Sequence, residues 1–340
     1  MPAETAGTRP PLLPVDAALA RILEGLARTA IEQLPLQQAH GRTLAAPLAS
    51  RLTLPEQAVS AMDGYAVNAA DCQARSPDGL ATLTRIGESA AGHPWPGQLE
   101  SGSAVRIFTG AVVPDGADAI ILQEDVIASA EQDGASITLT KTPITGRFIR
   151  PAGLDVKAGK QILSAGTPLS ARALALALST GHAEAAFYAR PRIGILSTGD
   201  ELVSPGDTPG PGQIISSNAA YLAAFVAACG AIAVPLGIAR DQPGAMLASV
   251  RSLRDVRSIR DAQDVGDGPL DLIVTTGGAS VGVHDHIVSD LSTGDTLGDE
   301  PAANALHFWK IAMRPGKPLI SGRVDGIPLL GLPGNPVSSA

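Results

Sequence analysis

The chain has 340 residues, which at roughly 150 residues per domain predicts two to three domains, and its 45% hydrophobic content excludes wholesale disorder. Aromatic residues are only 3%, so Ala, Leu, Val and Ile must build the cores; 37 glycines and 27 prolines promise many turns without a collagen-like period. A net charge of −8 argues against a general nucleic-acid or anionic-membrane binder, and two cysteines, Cys72 and Cys229, make neither a disulfide framework nor a zinc cluster.

Residues 1–13 read as a loose tail without a secretory signal, and no apolar run is long enough to span a membrane, so the expected setting is cytoplasmic. Asp16 then stands as an N-cap before Leu19, Ile22, Leu23, Leu26, Ala30 and Leu34, whose spacing predicts a helix ended by Pro35. From residue 51 to about 156 the texture is β-rich: short apolar runs at 104–108, 119–122 and 136–139 alternate with Gly, Pro and Asp. Residues 159–189 return to helix, with Ser170 capping 171–178. A chain that leaves a helical region (14–50), builds a β-rich part (51–158) and returns (159–189) predicts an inserted module.

Beyond residue 190 strands and helices alternate. A strand at 193–196, a helix from Ser217 to Cys229, a strand at 231–238, an amphipathic helix with Met246, Val250, Leu253 and Val256, and a strand at 270–276 predict a parallel sheet covered by helices. A surface loop with Asp261, Asp264 and Asp267 precedes the last of these strands. Asp325-Gly326 predicts a hairpin turn whose return strand, 327–332, completes the sheet. Ligands of such sheets sit beyond the carboxyl ends of the strands, which is where chemistry is expected.

Acids lie near three of those ends: Asp200-Glu201, Asp241 and Asp285. Gathered at one edge they suit a hard cation such as Mg²⁺; the competing reading is that each caps a helix or turn. The loop Thr276-Gly277-Gly278-Ala279-Ser280-Val281-Gly282 would admit an anionic ligand to its backbone N–H groups, although a simple tight turn explains it as well, and it matches neither a Walker loop nor G-x-G-x-x-G. Residues 301–324 carry Lys310, Arg314, Lys317 and Arg323 and no acid. Strand alternation would put Trp309, Ile311 and Met313 on one face and Lys310 and Arg314 on the other, roughly 13 Å apart, suiting a ligand with two anionic groups; unrelated solvated cations are the alternative. His284 and His286 around Asp285 make a poor transition-metal site, and Cys229 is expected to pack as a small apolar group.

Several segments together resemble the molybdopterin molybdenumtransferases, the MoeA/gephyrin family. They are Ser60-Ala61-Met62-Asp63-Gly64-Tyr65-Ala66-Val67, Arg106-Ile107-Phe108-Thr109-Gly110 with Pro114-Asp115-Gly116-Ala117-Asp118, and Arg150-Pro151-Ala152-Gly153-Leu154-Asp155. Ser197-Thr198-Gly199-Asp200-Glu201-Leu202, the 276–282 loop, Met313-Arg314-Pro315-Gly316-Lys317-Pro318 and Gly331-Leu332-Pro333-Gly334-Asn335-Pro336 follow in family order. The resemblance implies a multidomain α/β protein: a helical dimerisation domain with an inserted β-rich domain, then a parallel-sheet α/β molybdopterin-binding domain (190–340). The family's C-terminal β-barrel is expected to be missing. It implies insertion of molybdate into adenylylated molybdopterin with release of AMP, a required divalent cation, a homodimer, and a molybdopterin adenylyltransferase as a candidate partner. Adenylyl transfer itself, or a non-catalytic scaffold, are the alternatives.

Carried over by motif, Asp63 and Thr109 would serve the reaction from the β-rich domain, in the family from the neighbouring subunit, with Arg150 and Asp155 on the same approach. Glu201, Asp241 and Asp285 would line the pterin-nucleotide and cation site. Gly277, Gly278, Ser280, Lys310, Arg314 and Lys317 would bind the substrate's anionic groups, and Pro333 and Pro336 would shape the rim. The family often has Lys where Arg314 stands; Arg keeps the charge but presents a fork rather than a point donor.

Overall fold

The computed structural model describes residues 12–76, 78, 80–255, 268–278, 286–292, 304–314 and 317–335. The chain divides into two compact units, 33–187 and the remainder, the latter joining the first 32 residues to 188–340.

The unit 33–187 is built on a six-stranded sheet. Its order is Ala119–Leu122, Gly64–Val67, Ser103–Ile107, Thr82–Ser89, Ser136–Leu139 and Val126–Ala128. Pairing is antiparallel except between Thr82–Ser89 and Ser103–Ile107. The three apolar runs expected as strands all lie in it. One face buries Val67, Leu83, Ile121, Ile137 and Leu139; the other buries Ala66, Val105, Ile107 and Ile120. Gly64 has no substitute here, because a Cβ would stand 1.9 Å from the Ile121 carbonyl oxygen. A separate cluster, Leu36, Leu44, Leu48, Leu169, Ala177 and Phe187, holds the segments on either side of the β-rich part. These segments are less helical than expected. They contain one α-helix, Ala171–Ser179, capped by the Ser170 hydroxyl as predicted, a short 3-10 turn at Leu36–Gln38, and short strands.

The first helix also departs from expectation. It spans Val15–Glu24 with Asp16 inside its first turn rather than at the cap, and it stops at Gly25; residues Ile31–Pro35 are a strand. Three members of the apolar periodicity, Leu19, Ile22 and Leu23, fall before the stop, and the last three, Leu26, Ala30 and Leu34, lie beyond it in non-helical chain. The helix packs Ala18 and Ile22 against Phe308, Ile311 and Leu319, so it belongs to the α/β unit rather than to a helical domain.

The α/β unit carries a six-stranded sheet ordered Ile232–Ala239, Arg192–Thr198, Leu272–Thr276, Ile327–Leu332, Ile320–Val324, Ala305–Trp309. The first four run parallel, and the hairpin adds two antiparallel steps. Arg192–Thr198 is buried almost throughout, as a central parallel strand must be. Helix Asn218–Ala228 sets Leu222 and Val226 on one face with Ile193, Ile195 and Val274. On the other face Met246, Val250, Ile287 and Leu291 pack against Leu196, Ile273 and Ile320. The hairpin turn is as expected: Asp325 and Gly326 both take positive φ (48° and 80°), the geometry that matches strand twist. No helix among the described residues is long and apolar enough to cross a membrane.

Candidate functional site

The strand order places a topological switch at the centre of the sheet. Arg192–Thr198 is flanked by the next two strands of the sheet in chain order, Ile232–Ala239 and Leu272–Thr276; the chain leaves Thr198 toward the helix on one face and leaves Thr276 toward the helix on the other. Divergent loops open a crevice at the carboxyl ends. An open recess lies there, lined by Thr198, Glu201, Ser216, Asn218, Thr276 and Gly334 among others.

Close backbone approach marks the loop beside this recess. Gly277 takes φ +90°, and a Cβ on it would stand 2.3 Å from the Thr198 carbonyl oxygen. Gly278 takes φ +63°, and its Cβ would meet Ile287 at 2.6 Å. The glycines of the loop are therefore required by close approach and by left-handed backbone at once. Gly277 N–H donates to the Leu332 carbonyl (3.2 Å), and Asn218 Nδ2 donates to the Gly334 carbonyl (2.9 Å), tying two strand ends and the start of helix Asn218–Ala228 together. Pro333, expected at the rim, is buried beneath it.

The acids at the strand ends separate into two roles. Asp200 is a turn residue: its Oδ1 accepts the Asp241 N–H at 3.2 Å, while Arg240 donates to the Asp200 and Leu202 carbonyls. Glu201 is exposed in the recess. Asp241 lines a smaller neighbouring recess with Thr198, Gly278 and Asp290, whose carboxylate accepts the Gly244 N–H at 3.1 Å. Among the described residues no three His, Cys, Asp or Glu side chains gather as a closed metal cage. Glu201 and Asp241 line two neighbouring recesses and offer accessible carboxylate oxygens, the donor type that hard cations take. Asp285, Ser280 and Pro336, also expected in the site, lie outside the described residues, as do Asp261, Asp264, Asp267, Val256 and His284.

The cations follow a different geometry from the one the alternation predicts. The strand ends at Trp309; Lys310 adopts φ +84° and sets its Nζ 3.6 Å from the centroid of the Trp309 ring, a cation–π contact. Ile311 leaves the sheet to bridge Leu13. Lys310 and Arg314 therefore do not share a strand face, and the 13 Å repeat does not apply. Two antiparallel steps nonetheless return Ala305–Trp309 to the direction of the parallel strands. Lys310 thus stands at the carboxyl edge, three strand spacings or about 14 Å from the Thr276 strand. Arg314 is exposed and Lys317 half-buried. Arg323 is occupied structurally, donating to the Gly25 and Gly326 carbonyls.

In the other unit, Asp63 and Thr109, 46 residues apart, are joined directly. Thr109 N–H and Oγ1–H both donate to Asp63 Oδ1 at 2.7 Å, and those bonds, chiefly the backbone one, hold the carboxyl below its ordinary range, with Arg106 assisting. Arg150 Nη2 donates to both oxygens of Asp155 at 2.7 Å, an exposed pair of little energetic weight. Neither cysteine is a nucleophile candidate on this geometry: burial pushes the Cys72 thiol up to about 11, and Cys229, expected to pack, is exposed at its helix end. Sequence reasoning missed Ser216 and Asn218; the run Ser216-Ser217-Asn218 before an apolar helix was the available signal, read only as a cap. The Ser217 side chain makes no cap bond.

Comparison with known proteins agrees with this anatomy. The MoeA N-terminal region (domain I and II) matches residues 13–181, and a probable molybdopterin binding domain matches 194–340. A molybdopterin molybdenumtransferase of Haemophilus influenzae is 36% identical over 96% of this chain and 74% of its own length. That of a Nostoc species is 36% identical over 90% of this chain and 65% of its own length; molybdopterin molybdenumtransferase 2 of Mycobacterium tuberculosis is 38% identical, with 90% and 71% covered. The crystal structure of the MoeA molybdopterin biosynthesis protein of Pyrococcus horikoshii superposes with a TM-score of 0.76 at 29% identity, covering 97% of this chain and 76% of that one.

Proposed function

The chain belongs to the molybdopterin molybdenumtransferase family, and from that premise we propose that it inserts molybdate into adenylylated molybdopterin with release of AMP, a transferase step of molybdenum cofactor biosynthesis. The observation that carries this reading is the open recess at the switch point, lined by Thr198, Glu201, Ser216, Asn218, Thr276 and Gly334 among others, beside a glycine loop whose backbone is pressed against Thr198. Such a surface takes a flat, polar, anionic ligand, and the substrate has a pterin and phosphates.

Within this reading the backbone at Gly277 and Gly278, with Ser280, receives the substrate's polar groups, and Asn218 holds the opposite wall. Lys310, Arg314 and Lys317 attract molybdate and phosphate at the same sheet edge. Glu201 and Asp241, with Asp285, would hold a divalent cation such as Mg²⁺. When bound, that ion supplies Lewis-acid polarisation of a phosphoryl oxygen. Asp63 stays ionised and, through its remaining oxygen, orients or accepts a proton from the reacting group; Thr109 fixes its direction. Arg150 and Asp155 assist substrate approach. Pro333 and Pro336 support the rim.

Val15, Leu19 and Leu23 recur along one side of the first helix and are 42%, 52% and 57% exposed, an apolar row that supports a homodimer. The molybdopterin adenylyltransferase is the natural supplier of the substrate, and the expected location is cytoplasmic. Adenylyl transfer by this chain is the second reading; the match of the MoeA N-terminal region over residues 13–181 favours insertion. Incubation with molybdopterin, ATP and Mg²⁺ separates them: insertion predicts that ATP is not consumed, whereas steady adenylylation would establish the second reading.

A further inference from the structure

Arg106 has no place among the residues assigned above, yet it is bonded around the Asp63–Thr109 pair on every side. Asp63 immediately precedes the strand Gly64–Val67, and Thr109 follows Ser103–Ile107; the two strands pair with Gly64 opposite Ile107 and Tyr65 opposite Arg106. From that register the Arg106 fork donates from Nη1 to the Gly64 carbonyl (2.8 Å) and from Nη2 to Gln123 Oε1 (2.6 Å). Gln123 closes the circuit, its own N–H donating to the Asp63 carbonyl at 3.3 Å. The guanidinium lies over the Tyr65 and Phe108 rings, 5.2 and 4.7 Å from their centroids. Its contacts are thus the chain neighbours of Asp63 on one side and of Thr109 on the other. Among the described residues no carboxylate takes an ion pair from it, so its charge is left to act on its surroundings.

We propose that Arg106 is a positioning residue for the molybdate-insertion reaction: it clamps both strand ends so that Asp63 Oδ1 receives both Thr109 bonds, leaving Oδ2 for the reacting groups. This rests on the reading that Asp63 serves that reaction. A fork with two fixed acceptors and two aromatic faces defines an orientation that a point charge does not. The other titratable groups near the circuit are Tyr65, beneath the guanidinium; Glu124, which accepts from Gln123 Nε2 at 3.4 Å; and Glu88, opposite Arg106 on Thr82–Ser89 and ion-paired to Arg85 at 2.9 Å.

The test uses Arg106→Gln and Arg106→Lys in the full chain, with two readouts. The first, which needs no substrate, is titration of the Asp63 carboxyl carbon by NMR. The second is kcat and KM for molybdate against pH. Arg106→Gln is expected to move the Asp63 midpoint upward, shift the acidic limb of the kcat profile in parallel, and lower kcat by about 10- to 100-fold with little change in KM, the scale of a small misplacement. Arg106→Lys should restore most of the midpoint and little of kcat. If Arg106→Gln is poorly folded, Gln123→Ala, which removes the Nη2 acceptor and the long bond to Glu124, carries the same comparison with smaller effects in the same direction. A wild-type Asp63 titration together with wild-type kcat, or equal losses of activity in both Arg106 variants with the Asp63 midpoint unmoved, overturns the proposal. Full activity in Asp63→Asn would instead overturn the underlying reading, and the titration arm would still report whether Arg106 governs the pair.

Discussion

Gly277→Ala isolates the close approach on which the recess depends. A non-glycine residue in the left-handed region costs about 1–2 kcal/mol. The added methyl must also displace the Thr198 backbone, since Cβ would stand 2.3 Å from its carbonyl oxygen and 2.8 Å from its Oγ1; overpacking of this kind costs about 1–3 kcal/mol more. Gly212→Ala is the matched control, because Gly212 has a similar φ of +77° and nothing within 4 Å of its Cβ. The α/β unit should therefore lose about 2–5 kcal/mol in the first variant and about 1–2 in the second. The chain's two tryptophans make this measurable: Trp309 lies in the α/β unit and Trp95 in the other. In a Trp95→Phe background, Trp309 fluorescence during urea unfolding follows the α/β unit alone. The difference between the variants, about 1–3 kcal/mol, is the contribution of the contact with Thr198. Equal losses would show that only backbone strain matters and would refute the packing argument for the recess.

Other consequences are simpler to state. Asp63→Asn and Glu201→Gln, both nearly isosteric, should retain the fold by circular dichroism yet nearly abolish molybdate-dependent AMP release; near-normal release in both would remove these residues from the site. Lys310→Ala and Arg314→Ala should weaken molybdate or adenylylated-molybdopterin binding at low salt, with the deficit shrinking toward 0.5 M as the wild type's charges are screened; binding identical to wild type across the titration would make them solvated bystanders. The Asp63 carboxyl is depressed in the folded chain, so its contribution to stability is present above the unfolded-state value and is lost as pH falls through the folded one. Denaturation profiles of wild type and Asp63→Asn should accordingly converge toward low pH, and parallel curves would contradict the bonded geometry. Arg251→Met should leave urea unfolding of the α/β unit close to wild type, because the exposed Arg251 end of its fork to the half-buried Asp325 is screened by solvent; a large shift in the midpoint would contradict that ranking.

Much of the scaffold was legible because local chemistry and tertiary packing agree there. Asp325-Gly326 wants positive φ at two successive residues, and the hairpin supplies that need. The strand ending at Thr198 is buried almost throughout, its apolar run Ile193-Gly194-Ile195-Leu196 lying between helices that cover both faces, and such a strand directs chemistry to its carboxyl end. The failures have equally local causes. Leu26, Ala30 and Leu34 continue a helical spacing by coincidence, since Gly25 ends the helix and the next apolar residues serve a strand. Lys310 breaks the strand through a positive φ that a lysine does not advertise, so an alternation argument carried past Trp309 put it on the wrong face. Asp200 and Glu201 are adjacent acids with the same composition signal, and only the backbone shows that one stabilises the turn while the other opens on the recess. The Asp63–Thr109 pair was visible as two family motifs, but the direct bond between them depends on strand register, and with it the circuit through Arg106.

The central claim is that this chain transfers molybdenum to adenylylated molybdopterin. It is tested most directly by incubating the chain with that substrate and Mg²⁺ and titrating molybdate while AMP is quantified. The account predicts AMP release that rises with molybdate and saturates, matched by molybdenum retained on the pterin. AMP release independent of molybdate, or none at any concentration, would contradict it.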